Sequence, residues 1–261
     1  MEMAKLAETI EKYVRPDTFP LGITVVKEKL PEGKWKRPFR DFGVTLTICQ
    51  AITMSRRYGW SLAMGDEDLS CPIAKVAFGF KESLPYYEEG TLACGMYTET
   101  MEAGRNAEAA VPKFSEADRG TVVVGPLARI GHEPDLVLVY GNSAQVMRLV
   151  AAALYKRGGS LTSHFSARAD CADIVVRTKQ TGEPQVILPC YGDRVFGQTH
   201  DQEMAFSFPY AWAQEIAEGL AGTHKGGVRY PIPTFLRYEA AFPATYERMN
   251  QMWKEMENET T

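Results

Sequence analysis

The apolar residues Leu6, Ile10 and Val14 recur at four-residue spacing among charged neighbours, which predicts an amphipathic helix stopped by Pro16. Residues 21–27 form a β-branched run of strand length. After a basic, proline-containing loop, Val44, Leu46, Ile48, Ile52 and Met54 predict a helix over 42–58 that includes Cys49. Arg56, Arg57 and Gly59 end it, the cations suiting the negative end of the helix dipole. A short strand at 60–63 leads into the acidic turn 65–68, whose Asp66, Glu67 and Asp68 read as a solvated loop. Ser70-Cys71-Pro72 then places Ser70 or Cys71 at the N-cap of a helix reaching about Gly79, because proline suits the first helical position.

Residues 82–113 are mostly polar, with a helix over 97–109 as the clearest element. Residues 121–124 and 136–139 are continuous apolar runs of strand length, and the second enters Gly141-Asn142-Ser143, a turn and N-cap ahead of a helix over 144–156. Gly158-Gly159 closes that helix. Beyond it, 160–166 reads as extended, 172–179 fits either period, 185–188 and 204–208 read as strands, and 212–220 as a helix. The tail over 238–257 is amphipathic and helical after Pro243, with Tyr246, Met249 and Trp253 on one face expected to dock on the protein's own core. No repeat, low-complexity tract or Gly/Ser linker divides the chain. The pattern predicts one α+β domain over 1–261, a mixed β-sheet flanked by helices.

Composition acts mainly by exclusion. The 261 residues carry 29 lysines and arginines against 33 aspartates and glutamates, a net charge of −4, with 45% hydrophobic residues. Such a chain buries a core without disulfides or metals as staples. No basic run interleaved with aromatics offers a footprint for nucleic acid. No apolar stretch approaches the roughly 18 residues of a membrane span, and the acidic N-terminus lacks the apolar segment of an export signal, so no membrane partner and a cytoplasmic location are expected. The glycine-rich phosphate loop and the Gly-x-Ser-x-Gly motif are both missing, which removes nucleotide and serine-hydrolase readings.

The five cysteines are Cys49, Cys71, Cys94, Cys171 and Cys190. An odd number without an export signal fits a reducing compartment, where thiols stay free or bind metal. No pair has C-x-x-C spacing, and spacing alone leaves each a small buried hydrophobe. Local context points further. Cys71 beside a helix N-terminus would have its thiolate stabilised, as a metal ligand requires. Cys190 follows a strand and proline and enters Gly192-Asp193-Arg194, while Cys171 is flanked by Asp170 and Asp173.

The segments Cys49-Gln50-Ala51, Ser70-Cys71-Pro72, Asp170-Cys171-Ala172-Asp173 and Cys190-Tyr191-Gly192-Asp193-Arg194 resemble the four cysteine blocks of an uncharacterised archaeal and bacterial family, domain of unknown function 169. Residues 133–142 and 144–149 resemble its central strand and helix, and residues 20–27 its opening strand; the resemblance runs over about 21–220. It implies four thiolates, Cys49, Cys71, Cys171 and Cys190, holding a [4Fe–4S] cluster with one cysteine per iron. Tetrahedral zinc accepts the same set. The family's setting in anaerobes and methanogens implies a redox or electron-transfer role in anaerobic metabolism, with a redox partner protein or small molecule. Cys94 lies outside the blocks and reads as a packed thiol.

Around this set, His164 and His200 lie near the cysteine blocks without forming an H-x-x-x-H pair; each is a candidate partner of the ligands or general acid, beside the plainer reading of a satisfied histidine. Asp193 and Arg194 are candidates to hydrogen-bond cluster sulfurs or to clamp an anion, beside the plainer reading of a turn aspartate and a surface arginine. Two rival functions stay open. One is a small-molecule-binding or accessory protein with structural or zinc-binding cysteines, its specificity set by Asp193, Arg194 and Gly141-Asn142-Ser143. The other is a lyase-type enzyme in which only three thiols bind and the fourth iron is open to substrate. The sequence leaves enzyme status, catalytic residues and oligomeric state undetermined.

Overall fold

The structure, a computed structural model, describes residues 1–232 and 240–259. Six strands, β1 (Leu21–Val26), β2 (Leu62–Met64), β3 (Thr121–Pro126), β4 (Leu136–Asn142), β5 (Gln185–Ile187) and β6 (Glu203–Pro209), form one sheet in the order β2-β3-β1-β4-β6-β5. The helices are α1 (Met3–Tyr13), α2 (Pro38–Phe42), α3 (Ile48–Tyr58), α4 (Pro72–Ala77), α5 (Pro85–Glu88), α6 (Met101–Ala110), α7 (Ser143–Leu154), α8 (Asp170–Ala172), α9 (Thr178–Thr181), α10 (Tyr191–Phe196), α11 (Ala213–Lys225) and α12 (Ala244–Glu259). A wider π-helical turn, Asp173–Arg177, joins α8 to α9. This is the α+β class read from the sequence. The ladders are antiparallel, with Leu21 of β1 opposite Pro126 on one side and Leu138 on the other. Parallel pairing among the described residues is confined to isolated bridges, Lys36 with Leu62, Leu46 with Leu69 and Cys94 with Thr98.

The unbroken apolar runs of the central strands follow from burial of both sheet faces. Leu136, Leu138 and Tyr140 of β4 enter one core, while Val137 and Val139 enter the other. The second core is closed by α1, α7 and α11 through Leu6, Ile10, Leu149, Ile216 and Leu220. There α11 approaches α7 so closely that a Cβ on Gly219 would stand 2.1 Å from the Ala152 carbonyl oxygen. The first core is closed by α3, α4 and the helical stretch from α8 to α9 through Ile48, Ile52, Ala74, Ile174 and Val175. Cys171 belongs to this core and Cys71 packs against it.

Local chemistry redraws several expected boundaries. The helix expected over 42–58 is two: Gly43 takes a left-handed φ of 68° after α2, and Thr47 starts α3 with a capping box, its hydroxyl accepting from Gln50 N at 3.0 Å while Gln50 Oε1 accepts from Thr47 N at 2.9 Å. Thr100 similarly delays α6 to Met101. Between β4 and α7 there is no turn, because Asn142 both ends the strand and caps the helix. The acidic turn is not a solvated loop. Asp68 is fully buried and accepts from Arg37 Nε, Phe39 N and Gly65 N, while Asp66 pairs with Lys75 and Lys81. The tail is helical after Pro243, yet Tyr246, Met249 and Trp253 are exposed and not docked on the core. Its expected beginning, near residue 238, lies outside the described residues. No described helix is long and apolar enough to cross a membrane.

Candidate functional site

Cys49, Cys71, Cys171 and Cys190 line one cavity of about 210 Å³. Each stands at the start of a helix. Cys49 lies in the first turn of α3, fixed by the Thr47 capping box; Cys71 is the N-cap of α4 ahead of Pro72; Cys171 follows Asp170 in α8; Cys190 is the N-cap of α10. Cys49, Cys171 and Cys190 are buried and Cys71 is half-buried. Ile48, Ile73 and Ala74 add apolar wall, and exposed Met96, Tyr191 and Phe196 form part of the lining.

The thiols are held by hydrogen bonds. Cys190 donates to Asp170 Oδ1 at 3.1 Å, with Cys49 Sγ 4.0 Å from the same oxygen. The Cys49 thiol also hydrogen-bonds to Cys171, which together with burial lifts its pKa well above the usual range. Cys171 is pushed up to about 11, burial and nearby Asp170 outweighing the lowering effect of Cys49. Burial, then Asp170, raises Cys190. All three are therefore neutral thiols at pH 7.

Behind the thiols lies a buried polar network. Asp170 and Asp193 are buried near one another, and burial raises the pKa of both, Asp170 well above its ordinary value. Asp193 Oδ2 accepts from the Tyr140 hydroxyl at 3.1 Å and the Thr199 hydroxyl at 2.8 Å. Arg56 stacks 4.2 Å over the Tyr140 ring, donates to Thr199, and grips Glu203 through Nη1–Oε1 at 2.5 Å and Nη2–Oε2 at 3.1 Å. On the other side, buried Arg168 lines the cavity and pairs with buried Glu108 at 2.6 Å.

Asp193 and Arg194 do not form a clamp. Side chains of adjacent helical residues diverge by about 100°, and Arg194 donates to the His200 carbonyl while Asp193 is buried against Asp170. Neither lines the cavity, nor do the exposed His164 and His200. Cys94 also stands apart, its thiol 3.6 Å from the Glu99 carbonyl oxygen. Asn142 of the Gly141-Asn142-Ser143 segment caps α7 and donates to the Tyr230 hydroxyl. Sequence reasoning missed Asp170, which it noted only as a polar neighbour of Cys171, and gave no role to Arg168. Among the described residues, no three His, Cys, Asp or Glu side chains are already arranged to hold a metal ion. The donor set suits a thiophilic centre in kind, and loading it requires the thiols to lose their protons and turn into the cavity.

Fold and site together define an antiparallel α+β protein with a four-thiol cavity beside one sheet face. The chain belongs to the family described as Uncharacterised ArCR, domain of unknown function 169, which matches residues 9–219. It is similar to an uncharacterized protein of Methanocaldococcus jannaschii, 27% identical over 201 residues that cover 74% of this chain and 82% of that protein. No solved structure matches it significantly.

Proposed function

We propose that this chain binds a [4Fe–4S] cluster through Cys49, Cys71, Cys171 and Cys190 and works in redox or electron transfer. The observation that carries the reading is the convergence of these four thiols, from four separate helix starts, on one cavity. Thiolates are the ligands that iron–sulfur centres and zinc select. A volume of about 210 Å³ favours a cluster over a single ion, since one water occupies about 30 Å³. Bound there, the cluster would supply one-electron transfer. The chain's own part is to furnish four sulfur donors and to wall the cavity with Ile48, Ile73 and Ala74, while burial raises the Asp170 pKa and so disfavours a carboxylate charge beside an anionic centre.

The test is anaerobic purification with iron and sulfide analysis and visible spectra for wild type, Cys71→Ser and Cys190→Ser, each checked for folding by circular dichroism. Brown wild-type protein with near-equal iron and sulfide, lost in both folded variants, is the expected result. Zinc without sulfide would replace the cluster by a zinc centre. Colour indifferent to both substitutions would remove these cysteines from the site.

A further inference from the structure

Arg168 is the only basic side chain among the described residues lining the cavity. It is 8% exposed, and its geometry is fixed from three directions. Its Nη2 donates to Glu108 Oε1 at 2.6 Å, its guanidinium lies 4.4 Å over the Tyr97 ring, and Ala167 before it holds a left-handed φ of 53°, a conformation that non-glycine residues adopt at a cost. Glu108, on α6, is buried too and is not part of the cavity lining. The pair is thus a dipole with its positive end at the cavity. Arg168 Nε, although buried, has no hydrogen-bond partner. The hydroxyl of Thr47, which also lines the cavity, accepts from Gln50 N and keeps its own proton free to donate. Unused donors in a buried site call for an acceptor.

A thiolate-bound cluster is such an acceptor. It is anionic, and a buried anion is tolerated only beside compensating charge and hydrogen bonds. Resting on the cluster reading above, we infer that Arg168 is the positioning residue that offsets the cluster's charge and sets its reduction potential, with Glu108 and Tyr97 holding it in place. Reduction adds one electron and one negative charge to the centre, and a nearby cation favours the reduced form.

The experiment is a redox titration of the cluster-loaded protein, followed by its visible spectrum, with dithionite as the electron donor. Wild type, Arg168→Gln, Arg168→Lys, Glu108→Gln and the double variant Arg168→Gln/Glu108→Gln are compared, with iron content and circular dichroism for each. Arg168→Gln is expected to shift the reduction equilibrium about tenfold toward the oxidised form, about 59 mV lower for one electron. Glu108→Gln shifts it the opposite way, Arg168→Lys stays near wild type, and the double variant falls between the single ones. If Arg168→Gln fails to fold, Glu108→Gln carries the sign of the test, with Arg168→Lys as the charge-preserving control. A loaded protein whose potential is unmoved, or moves the same way in both single variants, overturns the inference alone. A wild type that takes up no cluster overturns it together with the reading on which it rests.

Discussion

Replacing Glu203 by glutamine removes the counter-charge of a guanidinium that has no access to water. The Arg56 side chain is 0% exposed and Glu203 12% exposed, and two hydrogen bonds join them. Breaking a buried pair by deleting one partner costs about 3 to 5 kcal/mol, because the remaining charge stays buried. Glutamine keeps one oxygen, and Arg56 keeps Thr199 and the Tyr140 ring, which places the expected loss near the lower end, about 3 kcal/mol. At about 2 to 4 °C per kcal/mol for a chain of this size, the melting temperature falls by roughly 6 to 12 °C. Urea unfolding followed by circular dichroism measures the loss, and a cycle with Arg56→Met isolates the coupling. Acid adds a signed check. Burial alone would raise Glu203, but the hydrogen bonds from Arg56 and His200 N win and hold it below the usual 4.5. The stabilisation is therefore complete above about pH 4.5 and is lost as pH falls through the lower folded-state value, so wild type and variant converge in acid. A loss under about 1 kcal/mol at neutral pH would show a pair screened like a surface ion pair and refute the reasoning.

Two further substitutions address how the scaffold sets the site. Thr47→Ala removes the hydroxyl that caps α3 two residues before Cys49 and is expected to cost about 1 kcal/mol, read from the urea midpoint; an unchanged midpoint would mean the capping box does not fix that helix start. Gly219→Ala drives a methyl to within 2.1 Å of the Ala152 carbonyl oxygen and should cost about 1 to 3 kcal/mol by forcing α11 off α7, whereas an unchanged melting temperature would contradict the close packing.

Much of the scaffold was legible in the chain because it depends on nearest neighbours and on period. The apolar runs at 121–124 and 136–139 name their strands, since a strand buried on both faces is mostly apolar along its length. Leu6, Ile10 and Val14 name the buried side of α1, and Pro72 names Cys71 as an N-cap, because these signals act within one or two turns. Gly43 and the Thr47–Gln50 box were equally local, yet the apolar residues on either side masked the break between α2 and α3. The choice of four cysteines out of five came from resemblance to family blocks, which spacing could not supply.

What tertiary structure decided is which charged and polar groups meet. Arg56 and Glu203 are 147 residues apart, Arg168 and Glu108 60, and Cys49 and Asp170 121. Hydrophobic period reports that a position is buried, but a buried charge is tolerated only by the partner the fold brings to it, and no local pattern encodes that partner. Asp193 shows the difference most directly. Beside Arg194 in sequence it reads as a partner for cluster sulfurs, as half of an anion clamp or as a plain turn aspartate; in the fold it is buried against Asp170, because the helix turns neighbouring side chains apart and the sheet places Tyr140 beneath it.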